Sequence, residues 1–211
     1  MPDDVLAEVK RLKKEATLLR TIGDTDGAIA ILDEAIALVK AARGGSSSSD
    51  ESGRLKAQLA DCYGMKGGVY RRAGRMTEAL DAYKTGLKFE TDDSYNLTNS
   101  LTVELLIDPT RLKELTPAIE AARDKVETQI RLHRSGQWWA WADLGLLELL
   151  TRHEERAFDA YKNFGATGAR ASDYDSTISV LEELSGKFTG NNEAVRASLD
   201  HAVDLLKRLK P

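Results

Sequence analysis

The side chains able to do chemistry are few and scattered. The three histidines, His133, His153 and His201, each stand alone near a helix end or on an exposed face. A metal centre needs two or more Cys, His or carboxylate ligands at short fixed spacings, and neither the histidines nor Cys62 supplies such a pair. Gly64, Gly67 and Gly68 lie inside a helical pattern, and Gly165-Ala166-Thr167-Gly168 has no strand before it, so neither cradles a phosphate as a nucleotide loop does. No G-x-S-x-G elbow is present, and the carboxylate pairs Glu154-Glu155 and Glu182-Glu183 read as solvated helix faces. The expectation is a non-enzymatic protein with no catalytic residue, metal or cofactor. Lys10, Arg11, Lys13 and Lys14 form one basic group, and Arg71, Arg72 and Arg75 another. Alternating acids and a net charge of -4 make these solvated faces rather than a nucleic-acid track, so no DNA partner is expected. An RNA-binding α-solenoid stays open as an alternative.

The elements that must position any site are helices. Ala, Leu, Glu, Lys and Arg dominate the 211 residues, only 4 are proline, and sustained β-branched alternation is absent. Apolar residues make up 42% and charged residues 30%, the balance of a folded chain with a real core. One cysteine cannot form an internal disulfide, which favours a reducing compartment. The opening MPDDVLAEVKRLKK lacks an apolar signal core, and no apolar run reaches the ~20 residues that span a bilayer. A cytoplasmic protein with no membrane partner is expected.

Period-3.6 patterning divides the chain into helix pairs. Val5, Val9, Leu12, Ala16 and Leu19 share one face, Gly23-Asp24 breaks it, and a second helix carries Ala28, Leu32, Ala35, Ile36 and Val39. Residues Gly44 to Gly53 (GGSSSSDESG) read as a flexible linker. The pattern then resumes over Leu55 to Phe89, turning at Ala73-Gly74-Arg75. Asp93 can cap a helix that ends at Asp108-Pro109, and a longer one follows to about His133. Trp138, Trp139, Trp141, Leu144 and Leu147 open the next pair, whose second helix holds Ala157, Phe158, Tyr161 and Phe164. Two more helices close the chain, giving about ten and no strand.

Tyr63 to Thr91 resembles the tetratricopeptide repeat, whose pattern is W-x2-L-G-x2-Y, then A-x3-F, A and P. Gly67, Tyr70, Ala79 and Tyr83 fall on its small, aromatic, small and aromatic positions, while Lys66, Gly86 and Thr91 depart from it. Trp141, Leu144 and Gly145 reproduce W-x2-L-G, Ala157 and Tyr161 continue it, and Glu148 departs at the aromatic position. The first segment fits with Leu12, Ala16, Leu19, Gly23, Ala28, Leu32 and Ala35; residues Asp93 to Gly136 fit loosely, around Ala118. A second resemblance, to the tetratricopeptide-type central regulatory region of apoptosis signal-regulating kinases and bacterial relatives, rests on Asp93, Tyr95, Asn99 and Leu105-Leu106. The fold implied is an all-α solenoid of antiparallel helix pairs with a C-terminal capping helix, a single domain over 1–211.

The tetratricopeptide resemblance further implies a groove lined by the first helix of each pair, where a protein or peptide partner lies. In the family register its positions are Lys10, Lys13 and Thr17, then Asp61, Met65 and Arg72, then Asn96 and Ser100, then Trp139 and Asp143. Chaperone-binding members clamp a partner's C-terminal carboxylate with Lys, Asn and Arg residues. Only Lys13 matches that set, because Thr17 and Met65 replace asparagines and Asp93 and Leu97 stand where cations are needed. Trp141 occupies the family's core position, against Ala157 and Tyr161, with Trp138 beside it. At about 100° per residue Trp139 points elsewhere; the family register implies the groove for it, and packing against the neighbouring repeat stays open as the alternative. The resulting expectation is an interaction scaffold or regulatory module, with a ligand-sensing regulatory domain as another alternative.

Overall fold

The computed structural model describes residues 2–45 and 48–211. Ten α-helices account for nearly all of them: α1 (Pro2–Thr21), α2 (Thr25–Gly44), α3 (Ser49–Arg72), α4 (Met76–Phe89), α5 (Ser94–Ile107), α6 (Leu112–Gln129), α7 (Trp138–Leu150), α8 (Glu154–Ala166), α9 (Ala171–Ser185) and α10 (Glu193–Leu209). Short 3-10 turns precede α6 (Pro109–Arg111) and α10 (Gly190–Asn192), and the tail of α6, Ile130–Arg134, widens into a π-helical turn. No strand occurs among the described residues, and no helix there is long and apolar enough to cross a membrane. The fold is all-α, as the patterning predicts.

The expected linker is shorter than its composition suggests. α2 runs to Gly44 and α3 starts at Ser49, with the Ser52 N–H already bonded to the Ser48 carbonyl at 3.0 Å. Asp50 and Glu51 fall in the first turn of α3, where carboxylates stabilise the positive end of the helix dipole. Ser46 and Ser47 lie outside the described residues.

The chain divides into two compact units, Met1–Val103 and Glu104–Pro211. In the first, α1 packs on α2, α2 on α3, and α3 on α4. Val9, Leu12, Ala35, Ile36, Val39, Leu55, Leu59 and Cys62 form its main core cluster. In the second, α7 pairs with α8 and α9 with α10, while α6 packs on α7 and α10 also packs on α7 and α8.

Three pairs share one packing device in strict sequence register. In α3–α4 a Cβ built on Gly67 would lie 2.7 Å from the ring of Tyr83. In α7–α8 one built on Gly145 would lie 2.6 Å from Tyr161. Both rings are fully buried, so each glycine is required by a close approach. In α1–α2 the corresponding residues are Ala16 and Leu32, which share a core cluster with Ala28. In this pair the small residue carries a methyl group, and the residue sixteen positions on is a leucine rather than a tyrosine.

The turns of these pairs match as well. The N–H groups of Asp24, Arg75 and His153 bond back to the carbonyls of Leu19, Tyr70 and Glu148, at 2.9, 2.9 and 2.8 Å. This closure puts the preceding residue in the left-handed region, which favours glycine. Gly23 (φ 83°) and Gly74 (φ 74°) comply; the third turn has Arg152 at φ 64°.

Candidate interaction surfaces

Four of the predicted groove residues meet in the first unit. Lys10, Lys13 and Thr17 of α1 and Met65 of α3 line one open depression of about 530 Å³, together with Lys14 and Leu18. The α-helical repeat brings α1 residues three and four apart onto one face, and α3 supplies the thioether that floors it. The lysines are not equivalent. Lys13 is half-buried, pairs with Asp61 and donates to Gln58 Oε1 at 3.1 Å. The Thr17 hydroxyl donates to the Lys13 carbonyl at 2.9 Å, so it is occupied locally. Lys10 and Lys14 are exposed and make no ion pair among the described residues. Leu18 is 68% exposed and Ile22, one turn on, 77%. The surface therefore combines uncompensated cations with open apolar side chains.

The other predicted positions fall elsewhere. Asp61 acts as the counter-charge of Lys13. Arg72 lies in the last turn of α3, where its guanidinium donates to the Gly68 carbonyl at 3.4 Å. Asn96 and Ser100 require correction: both are buried and line no open surface. Asn96 occupies the space left by two absent side chains, since a Cβ on Gly86 would lie 2.4 Å from its amide nitrogen and one on Gly64 2.8 Å from its amide oxygen. Its amide donates to the Ala60 carbonyl at 2.9 Å and to Asp93 at 2.7 Å, tying α5 to α3. Ser100 donates back to the Leu97 carbonyl. Asp93 caps α5 as predicted, accepting from the Tyr95 N–H at 2.9 Å.

In the second unit α7 carries Trp139 and Asp143. Trp139 is half-buried, with the Arg134 guanidinium over its ring at 4.9 Å. Asp143 lies near Tyr161, and burial first, then that carboxylate, pushes the Tyr161 phenol well above its ordinary range. Trp138 packs edge-on against Phe164, with centroids 5.9 Å apart. Trp141 differs from its expected core placement: it is only half-buried, and its indole N–H donates to the Ser135 carbonyl at 2.9 Å. Tyr161 is held against Gly145 itself.

Two features escaped the sequence reading. Glu148, at the family's aromatic position, is fully buried, with Arg156 at 2.8 Å and His153 at 2.9 Å from its carboxylate. Its departure from the pattern was visible; its partners were not. The second feature is a pocket of about 530 Å³ bounded by the start of α6, the α7–α8 turn and the 3-10 turn before α10. No local signal marks it, because its walls are distant in sequence. No group of three His, Cys, Asp or Glu among the described residues is placed to hold a metal ion.

No family model matches the chain, and no curated protein matches it. Among solved structures, BtubC (BKLC) from P. vanneervenii is 20% identical over 99% of this chain and 82% of that one, with a TM-score of 0.52. The MamA protein is 18% identical over 96% of this chain and 90% of that one, at 0.41. A tetratricopeptide repeat protein from Parabacteroides merdae is 17% identical over 96% and 76%, at 0.40. At such identities the likeness concerns the fold. With three helix pairs in register, each with a small residue under a larger side chain of its partner helix, this is a chain of the tetratricopeptide-repeat fold.

Proposed function

We propose that the protein is an interaction module, and that the α1–α3 face of its first unit binds a protein segment in which acidic residues flank apolar ones. The observation that carries this reading is the depression where Lys10 and Lys14 stand without counter-ions beside Leu18 and Met65. Arg11, on the same helix, is by contrast paired with both Glu8 and Glu15. Two uncompensated lysines beside open apolar side chains complement an acidic amphipathic segment: apolar burial supplies affinity, and charge supplies orientation and rate. The same module could work as a free scaffold or control an effector on its partner, in the cytoplasm as the composition suggests. Trp139 offers the second unit an aromatic anchor of the kind that dominates binding energy.

Selection of a random peptide library on the full chain tests the proposal. Enriched peptides should carry two or three Asp or Glu residues beside Leu, Ile or Phe. The Lys10→Glu/Lys14→Glu chain should lose them, and rising salt should weaken the parent complex. Both positions are exposed, so the doubly reversed chain should keep its helical circular dichroism. Peptides without acidic bias, or undiminished binding to the reversed chain, would refute the assignment.

A further inference from the structure

The pocket in the second unit has the composition of a ligand site. Thr110 and Lys113 contribute one wall, Thr151 and Arg152 the second, and Thr189 and Asn192 the third. Asn192 donates to the Pro109 carbonyl at 3.3 Å, which ties the third wall to the first. Its volume of about 530 Å³ falls in the range of small-molecule sites.

Its charges are unbalanced in a way that the neighbouring cations are not. Arg111 is paired with Glu104 and Glu114, Arg123 with Asp124, and Arg156 with Glu127 and Glu148. Lys113 and Arg152, which line the pocket, make no ion pair among the described residues. No carboxylate lines the pocket among the described residues, and Asp108, two residues before Thr110, is engaged by the backbone N–H and hydroxyl of that threonine at 3.0 and 2.6 Å. Arg152 also takes up the left-handed conformation that Gly23 and Gly74 fill in the matching turns. Arg152 thus places a long cationic side chain where glycine is the unstrained choice, and that side chain lines the cavity.

The hydroxyls refine the ligand. Thr110 donates to Asp108, and Thr151 donates to the Leu147 carbonyl with His153 Nδ1 also 3.1 Å from its hydroxyl, so both hydroxyl protons are engaged and lone pairs are what these groups have left for a ligand. A ligand matching these walls carries a compact multi-oxygen anion for Lys113 and Arg152 and hydroxyl donors for the threonines. We infer that this pocket binds a small phosphorylated sugar, with Lys113 and Arg152 on the phosphate and Thr110 and Thr151 accepting from the sugar hydroxyls.

Titration of the isotope-labelled full chain with ribose 5-phosphate, inorganic phosphate and ribose at constant ionic strength tests the inference by amide chemical shifts. Ribose 5-phosphate should move the amides of Lys113, Thr151, Arg152 and Thr189 and leave α1–α3 unmoved. It should bind about tenfold more tightly than inorganic phosphate, while ribose alone moves little. Lys113→Gln and Arg152→Gly should each weaken it about tenfold or more. Arg152→Gly relieves backbone strain, so it should melt no lower than the parent, which separates lost binding from lost folding. Absence of shifts at ~10 mM ligand, parent-like affinity in either variant, or tighter binding of a phosphoserine peptide would overturn it.

Discussion

Replacing Gly145 by Ala tests the register of the fold through a substitution whose sign depends on packing. In an uncrowded helix interior this change stabilises by about 1 kcal/mol, because glycine surrenders more backbone entropy. Gly53, in α3 with no atom within 4 Å of a built Cβ, provides that reference, and Gly53→Ala should raise stability by about 0.5–1 kcal/mol. At Gly145 the added methyl would meet three ring atoms of Tyr161 at 2.6, 2.7 and 3.0 Å, roughly 1 Å inside normal carbon contact. Tyr161 is fully buried, so the ring cannot swing into solvent. Overpacking of this kind costs about 1–3 kcal/mol or more, which cancels the propensity gain and leaves a net loss of up to about 2 kcal/mol. The α1–α2 pair supplies the rescue, since Ala16 coexists there with Leu32. Gly145→Ala/Tyr161→Leu should therefore be more stable than the sum of its single changes by about 1 kcal/mol or more. Urea melts read by tryptophan fluorescence report the second unit alone, because Trp138, Trp139 and Trp141 all lie on α7. A stabilised Gly145→Ala chain, or strict additivity in the cycle, would show that Gly145 is not at a close crossing.

Three further outcomes can be measured directly. Burial pushes the Cys62 thiol up to about 12, so it should resist thiol reagents at pH 8 until the first unit opens. The unfolded thiol ionises from its ordinary value of 9.0, so this contribution to stability is complete below pH 9 and declines as pH rises toward 12; a Cys62→Ala chain should lack it, and rapid native labelling would contradict the burial. Glu148→Ala should destabilise the second unit by about 2–3 kcal/mol in the same urea melt, less than the loss of a wholly buried pair because Arg156 is half exposed; an unchanged midpoint would count against the network. Trp139→Ala should weaken binding of a partner that engages α7 by about 2 kcal/mol and leave the melt intact, whereas Trp141→Ala should cost about 2 kcal/mol of stability through lost packing and the lost bond to Ser135; an unfolded Trp139→Ala chain would show that this ring belongs to the core.

The helices, their pairing and the small positions at their crossings could be read from the sequence, because each is a local consequence of residues three and four apart. Gly67 and Gly145 stood out because they fall on the small positions of the repeat pattern, and the α5 cap at Asp93 needed only its own next three residues. Burial is a different kind of property, because it depends on which distant helix covers a face. Asn96 and Ser100 looked like groove residues by register, yet Gly64 and Gly86 open the space that takes Asn96 inside. Trp141 looked like a core residue by motif, yet its indole reaches the Ser135 carbonyl instead. Glu148 is tolerable inside only because Arg156 and His153 arrive from beyond the turn. The second-unit pocket joins the approach to α6, the α7–α8 turn and the approach to α10, three segments that chain periodicity does not relate. Helix-forming tendency and one-sided apolar spacing are carried along the chain. The space that a missing side chain opens, and the charge a neighbour supplies there, arise only when separate helices meet.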